Sequence, residues 1–373
     1  MAQHFSNAHQ ATSLYCDRWP PTHSRVLALL PLVALLAGCP QEEQTGTTKP
    51  YAQGEAKPGA GVRVTAARAN WDTGYFEAEV VAALLRELGY DVSSPAAREM
   101  SPDIFYPAVA SHLVDFWANG WFPLHDAKLK TALPTRGIVG DLASPVGTIV
   151  PDGALLGYFV DKRTADQHGI TTMADLKRPE IAKILDRDGN GKADLIGCSA
   201  GWACANHVND EIVAQGWPVE QVQGDYTTMF DDVVARVHNA EPALYVSWTP
   251  SYMTAELVPG RDVTWLQAPS PAGTKTTVAG LAGCTGDPCE TGFVPSSIEI
   301  VANKEFLAQN PAARRLFELV KINARDIDEQ NLRMHQGENT TADIERQARQ
   351  WIEAHRAEVD HWLDEARSAA AGH

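Results

Sequence analysis

The chain begins its hydrophobic pattern with one unbroken apolar run, Val26 to Leu36, preceded by Arg18 and Arg25. The run is too short for a spanning helix of about 20 residues and has the proportions of a signal-peptide core. From Pro40 to Gly61 the pattern vanishes into Gln, Glu, Thr, Lys, Pro and Gly, which predicts a flexible linker. Beyond it, short β-branched runs alternate with helical periodicities. Val62 to Ala66 predicts a strand, and Phe76, Val80, Leu84 and Leu88 then predict an amphipathic helix stopped by Gly89. Asp103 to Val114 reads as helix. Val114 to Ala118 reads as a strand that feeds the loop Gly120 to Asp126.

The alternation continues through a strand at Gly157 to Val160 and a helix opened by the capping box Thr172-x-x-Asp175. Helices are predicted from the Cys204 region to about Ala214 and from Met229 to Val237, and strands at Ala243 to Trp248, Val263 to Gln267 and Ile298 to Val301. Pro269 to Gly292 reads as a Gly/Thr/Pro-rich loop. Asn310-Pro311 supplies an N-cap and first-turn proline for a helical C-terminal region that carries Trp351, Ile352, Val359 and Trp362. Strands alternating with helices imply an α/β sheet, in which ligands gather in loops beyond the carboxyl ends of strands.

Length and charge narrow the class. The 373 residues suffice for about two domains on a prior of roughly 100–200 residues each. A net charge of −16 argues against a nucleic-acid partner, which requires a basic patch. The apolar run ends in Leu36-Ala37-Gly38-Cys39, which resembles the lipobox of bacterial lipoproteins, with Cys39 as the acylated residue after cleavage; a simple secretory signal is the alternative. An exported chain permits disulfides, and the close spacings favour Cys198 with Cys204 and Cys284 with Cys289. Four cysteines allow three pairings, and metal binding by them is the weaker alternative because no zinc-type spacing occurs.

The stretch Gly197 to His207 combines two cysteines, a Ser-Ala-Gly turn and Trp202 just ahead of a predicted helix start. Free N–H groups at a helix N-terminus suit an anion, and an indole face suits a cation. One small zwitterion satisfies both. Trp121, Trp202 and Trp248 all fall at strand-to-loop junctions, as expected of an aromatic cage for a quaternary ammonium, which has no N–H to donate. Core packing and sugar stacking are the competing readings of such tryptophans. His125 could complete a carboxylate site with the N–H groups of Ala203 and Cys204, or be a surface histidine bonded to its own loop. Asp186-x-Asp188-x-Asn190-Gly191-x-x-Asp194 looks like the start of a calcium loop, but position twelve is Gly197 rather than Glu, and an Asx-bonded turn explains the same residues. We assign no metal there and no cofactor elsewhere. No P-loop, Rossmann fingerprint or H-E-x-x-H occurs, so a binding protein is expected rather than an enzyme.

Several segments, in order, resemble the glycine betaine/proline betaine-binding proteins of bacterial ABC importers. They are Trp121 to Asp126, Gly189 to Asp194, Gly197 to Cys204, Tyr245 to Pro250, Ile300 to Lys304 and Asn310 to Ala313. The resemblance implies a type II periplasmic-binding-protein fold, two α/β lobes closing on a ligand. The first lobe would comprise residues 62–159 and 295–373 and the second 160–294, after a signal over 1–38 and a linker over 39–61. It implies that Trp121, Trp202 and Trp248 box a trimethylammonium group, and that His125, Ala203 and Cys204 hold a carboxylate. It also implies a cysteine pair at Cys198 and Cys204, an ABC permease as partner, and, with the lipobox, a lipid-anchored monomer in the periplasm or on the outer face of the cytoplasmic membrane. Receptors for choline, carnitine or ectoine are the same-fold alternatives; a glycan-binding protein or enzyme is the alternative of another class. Three positions depart from the family pattern. Ala203 replaces Gly, which would matter if φ were positive; Phe122 and Trp71 are bulkier than expected and could reshape the pocket. The Cys284–Cys289 pair is a further addition.

Overall fold

The computed structural model describes residues 57–134, 137–270 and 274–372. The apolar run, Cys39 and the linker up to residue 56 lie outside them. The strands in chain order are β1 (Arg63–Val64), β2 (Ala66–Ala69), β3 (Asp91–Val92), β4 (Glu99–Met100), β5 (Phe116–Phe122), β6 (Ala143–Asp161), β7 (Ala193–Ile196), β8 (Val219–Val222), β9 (Leu244–Thr249), β10 (Val263–Leu266), β11 (Thr277–Val278), β12 (Cys289–Glu290) and β13 (Ser296–Asn303). The main sheet runs β4-β2-β5-β13-β6-β9-β7-β8, with β10 also paired to β6.

Strand β6 joins two halves of this sheet. Its first part, Ala143 to Ala154, pairs with β13, while Leu155 to Val160 pairs with β9 and Tyr158 to Asp161 with β10. Parallel strands flank the centre on each side, β2 with β4 and β5 in one half and β7 with β8 and β9 in the other. Parallel pairing requires long crossovers. Helices supply them, among them Thr73–Glu87, Ala203–Gln215 and Tyr226–His238.

The helix Thr73–Glu87 shows why the pattern is readable. Asp72 caps it by accepting from the Thr73 N–H, and Phe76, Val80 and Leu84 are buried. Truncating a buried leucine such as Leu84 to Ala costs about 2–5 kcal/mol.

Other expectations needed correction. The strand at Gly157 to Val160 is only the end of the 19-residue β6, whose alternation is interrupted by Pro145, Gly147, Pro151 and Gly153. Gly147 holds φ +74, and a Cβ there would lie 1.9 Å from the Phe317 carbonyl oxygen, so close packing dictates the break in the pattern. The first strand is divided into β1 and β2. The helix expected to reach Val114 ends at Ala110, followed by His112 at φ +60, and the next strand starts at Phe116 rather than Val114. The Thr172 capping box opens a 3₁₀ turn, Met173–Lys177, in place of an α-helix. Asn310 stands at the cap position, but its amide donates to the Phe306 carbonyl and leaves the next helix without a side-chain cap. The loop Pro269 to Gly292 contains a short hairpin, β11 with β12.

Candidate functional site

The two strand ends carry the first aromatic walls. On β5, alternation sets Trp117, Asn119 and Trp121 on one face. Trp121 ends this series, and the backbone then folds so that the His125 N–H donates to the Trp121 carbonyl at 2.7 Å. On β9, Trp248 lies opposite Leu156 of β6. Trp202 is the residue just before the helix Ala203–Gln215. The loop ahead of it is closed by a Cys198–Cys204 disulfide and turns at Gly201, whose φ of +84 suits glycine. Cys284 and Cys289 form the second disulfide.

These residues converge. Trp71, Pro102, Trp121, Leu124, His125, Leu156, Trp202, Ala203, Cys204 and Trp248 line one cavity with about 330 Å³ of atom-free space. All six residues expected from the sequence are in this wall. Trp202 stands between Trp71, at 5.1 Å and 64°, and Trp248, at 5.6 Å and 74°. Ala203 begins a helix and does not have positive φ, so its Cβ brings no backbone strain. As the first two residues of that helix, Ala203 and Cys204 have N–H groups without intrahelical acceptors. Phe122 does not line the cavity; its ring packs edge-on against His125 at 6.1 Å.

Polar groups around the cavity orient its walls. Trp71 and Trp121 both donate their indole N–H to Asn119 Oδ1, each at 2.9 Å. Asn119 in turn donates to Glu77 Oε1 at 3.0 Å, which fixes which end of its amide faces the indoles. The Trp202 N–H goes to Asn70 Oδ1 at 2.9 Å and that of Trp248 to Thr73 Oγ1 at 3.1 Å. Thr73 Oγ1 donates onward to the Pro250 carbonyl. Tyr226 packs on Trp202 and Trp248 and donates its hydroxyl to Asp72.

His125 is 3% exposed, and burial together with nearby Lys128 pushes its pKa down to about 3. It is therefore neutral at ordinary pH. The Trp121 N–H donates to Nδ1 at 3.2 Å, and the Tyr106 oxygen lies 3.0 Å from the same nitrogen. A nitrogen that accepts from a backbone N–H carries no proton, so the proton sits on Nε2, a donor with no partner among the described residues. Burial also raises the Glu77 carboxyl well above its usual range and lifts Asp72 to about 7. The arrangement thus offers aromatic faces for a cation, and one imidazole and two backbone N–H groups for an anion.

The acidic loop lies elsewhere. Carboxylate oxygens of Asp186, Asp188 and Asp194 come within 4.8 Å of one another. Asp186 accepts from the N–H groups of Gly189, Asn190 and Gly191, Asp188 from that of Asn190, and Asp194 from that of Arg187, which accounts for the loop as a self-bonded turn.

Sequence reasoning missed Asn70, Asp72, Thr73, Glu77, Tyr106, Asn119 and Tyr226. Only Asn119 gave a signal, as the residue two before Trp121 on the same strand face.

A two-part α/β sheet joined by one long strand, with an aromatic cavity beyond the strand ends, defines the type II fold of periplasmic substrate-binding proteins. Residues 62–354 match the family described as the substrate binding domain of the ABC-type glycine betaine transport system, and the chain belongs to that family. It is 38% identical over 321 residues to the glycine betaine-binding periplasmic protein OusX of Dickeya dadantii (strain 3937), covering 84% of this chain and 92% of that protein. Over 316 residues it is 37% identical to the glycine betaine/proline betaine-binding periplasmic protein of Escherichia coli (strain K12), with the same coverage of 84% and 92%. Among solved structures, lactococcal OpuAC in its closed-liganded conformation with glycine betaine superposes with a TM-score of 0.59 at 17% identity, over 81% of this chain and 99% of that one.

Proposed function

We propose that this chain is an extracytoplasmic receptor that captures glycine betaine or proline betaine and delivers it to an ABC permease. The observation that carries this reading is the convergence of Trp121, Trp202, Trp248 and His125 on one cavity beside the N–H groups of Ala203 and Cys204. The three indoles enclose the trimethylammonium group, and each such contact contributes roughly 0.5–2 kcal/mol depending on desolvation. His125 Nε2 and the two N–H groups hold the carboxylate. Family membership and the names of the relatives support the same ligand and partner.

The lobes are residues 62–159 with 295–373, and residues 160–294. Trp121 and His125 come from the first, and Trp202, Ala203, Cys204 and Trp248 from the second, so a ligand touching both favours closure. The protein acts as a monomer, tethered through lipid on Cys39 at the outer face of the cytoplasmic membrane. Choline has the cation but no carboxylate and would leave His125 unused.

Intrinsic tryptophan fluorescence of the purified protein, titrated with glycine betaine, proline betaine, choline and glycine, tests the assignment. A saturable change with the betaines, weaker with choline and absent with glycine, is expected. No response to any quaternary amine would remove the ligand class.

A further inference from the structure

We propose that Trp71 is a fourth wall of the cation cage, and that Asn119 is the positioning residue that sets Trp71 and Trp121 at once. This rests on the reading that the cavity takes a quaternary ammonium.

Trp71 is 5% exposed and touches the core on one side, its ring 5.5 Å from Trp117. On the other side it lines the cavity and meets Trp202 nearly edge-to-face at 5.1 Å. Its N–H is bonded to Asn119 at 2.9 Å. Asn119 is fully buried and is not a lining residue, so the polar edge of the indole points away from the cavity and leaves it ring carbon. The same holds for Trp121, which shares that oxygen. One amide oxygen accepting from two indoles fixes the angle between two walls, and Glu77 prevents the amide from flipping by accepting from its other end.

The charge behind these walls favours a role for the rings. Burial raises the carboxyl of Glu77, which accepts from Asn119, well above its usual range. Asp72, next to Trp71, also keeps its proton up to about pH 7. No lining residue carries a carboxylate. A cation here is therefore stabilised through aromatic quadrupoles, and an additional indole strengthens that hold. The same wall adds little for a neutral group of equal shape. Trp71 thereby becomes a determinant of the cavity's preference for positive charge.

The test compares glycine betaine with 3,3-dimethylbutanoate, in which carbon replaces the quaternary nitrogen, by calorimetry on the wild-type protein and on Trp71→Leu. Wild type should bind the betaine more tightly. Trp71→Leu should lower that preference by about three- to tenfold while 3,3-dimethylbutanoate affinity stays within about twofold. Trp71→Phe, which keeps a ring but no N–H, should retain most of the preference and serves if the leucine variant does not fold. Asn119→Ala should lower the preference at least as much as Trp71→Leu, since it releases two walls. An unchanged betaine-to-isostere ratio in Trp71→Leu, or equal losses for both ligands, would overturn the fourth wall. An unchanged ratio in Asn119→Ala would overturn the positioning role. Failure of the wild-type protein to bind betaine at all would be seen first and separately, and would sink the underlying ligand reading together with this one.

Discussion

The proposed cage is built in two ways on its two sides. The backbone of Trp202, Ala203 and Cys204 is set locally, by a helix start and a disulfide between residues six apart, while the Trp202 indole also reaches Asn70. Trp71 and His125 meet buried side chains from other segments, and Trp121 shares the oxygen that holds Trp71. Asn119 lies 48 residues from Trp71 and 42 from Glu77, and Tyr106 lies 19 from His125. The local side depends on covalent and backbone geometry, and the distant side on satisfied polar groups in a dry interior. Such groups cost little when paired and much when orphaned. Two kinds of damage should therefore separate the two sides.

The largest effect is expected on the local side. Trp202→Ala removes a desolvated cation–π contact of about 2 kcal/mol, so betaine affinity measured by calorimetry should fall more than about tenfold. Trp202 also stands between Trp71 and Trp248, and its loss loosens both neighbours. Unchanged affinity would remove Trp202 from the cage.

On the distant side, Asn119→Ala strands two indole N–H groups. Urea unfolding should show about 1–3 kcal/mol of lost stability for each N–H that finds no new partner. A loss below the lower figure would show that the indoles re-pair and that this side is adaptable.

The two disulfides offer an internal control. Replacing either pair by serine should cost about 2 kcal/mol in the chain-entropy picture, because the loops are of similar length. Only the Cys198/Cys204 double variant should also weaken betaine binding, since the loop between Cys284 and Cys289 does not line the cavity. Parallel losses of affinity would mean that the second loop supports the site from a distance.

A separate effect is the pH dependence of stability. His125 takes a proton at about 6.5 when unfolded but only near 3 in the native protein. The unfolded state binds more protons between those values, so its contribution is full above 6.5 and is lost as pH falls toward 3. Asp72 has the opposite sign. Its native carboxyl keeps a proton to about 7 while the unfolded one releases it near 3.8, so its contribution is full below 3.8 and declines as pH rises to 7. In denaturation series over this range, His125→Gln should flatten the acid limb, and Asp72→Asn should become relatively more stable toward neutral pH. Both limbs unchanged would show that neither group titrates as its burial implies.

What was legible follows the same division. The helix at Thr73–Glu87 and the strand at β9 were plain from periodicity, because each buries one face over a continuous segment. Trp202 and Trp248 were conspicuous because an indole beside Gly, Cys or Pro at a loop junction is unusual. By contrast, β6 was seen only at its end, since prolines and glycines within it serve contacts with other elements. Trp71 stood out only as a departure from the family pattern.

By itself, the sequence determined the α/β class, the family, and six of the ten residues that line the cavity, because turns, helix starts, periodicity and ordered motifs are properties of neighbouring residues. Only the tertiary structure decided how those residues are aimed. The proton on His125 Nε2, the shared Asn119 oxygen behind two tryptophans and the raised Glu77 carboxyl depend on burial and on partners that the fold brings together. Desolvation and hydrogen-bond direction exist only once the chain has folded around them.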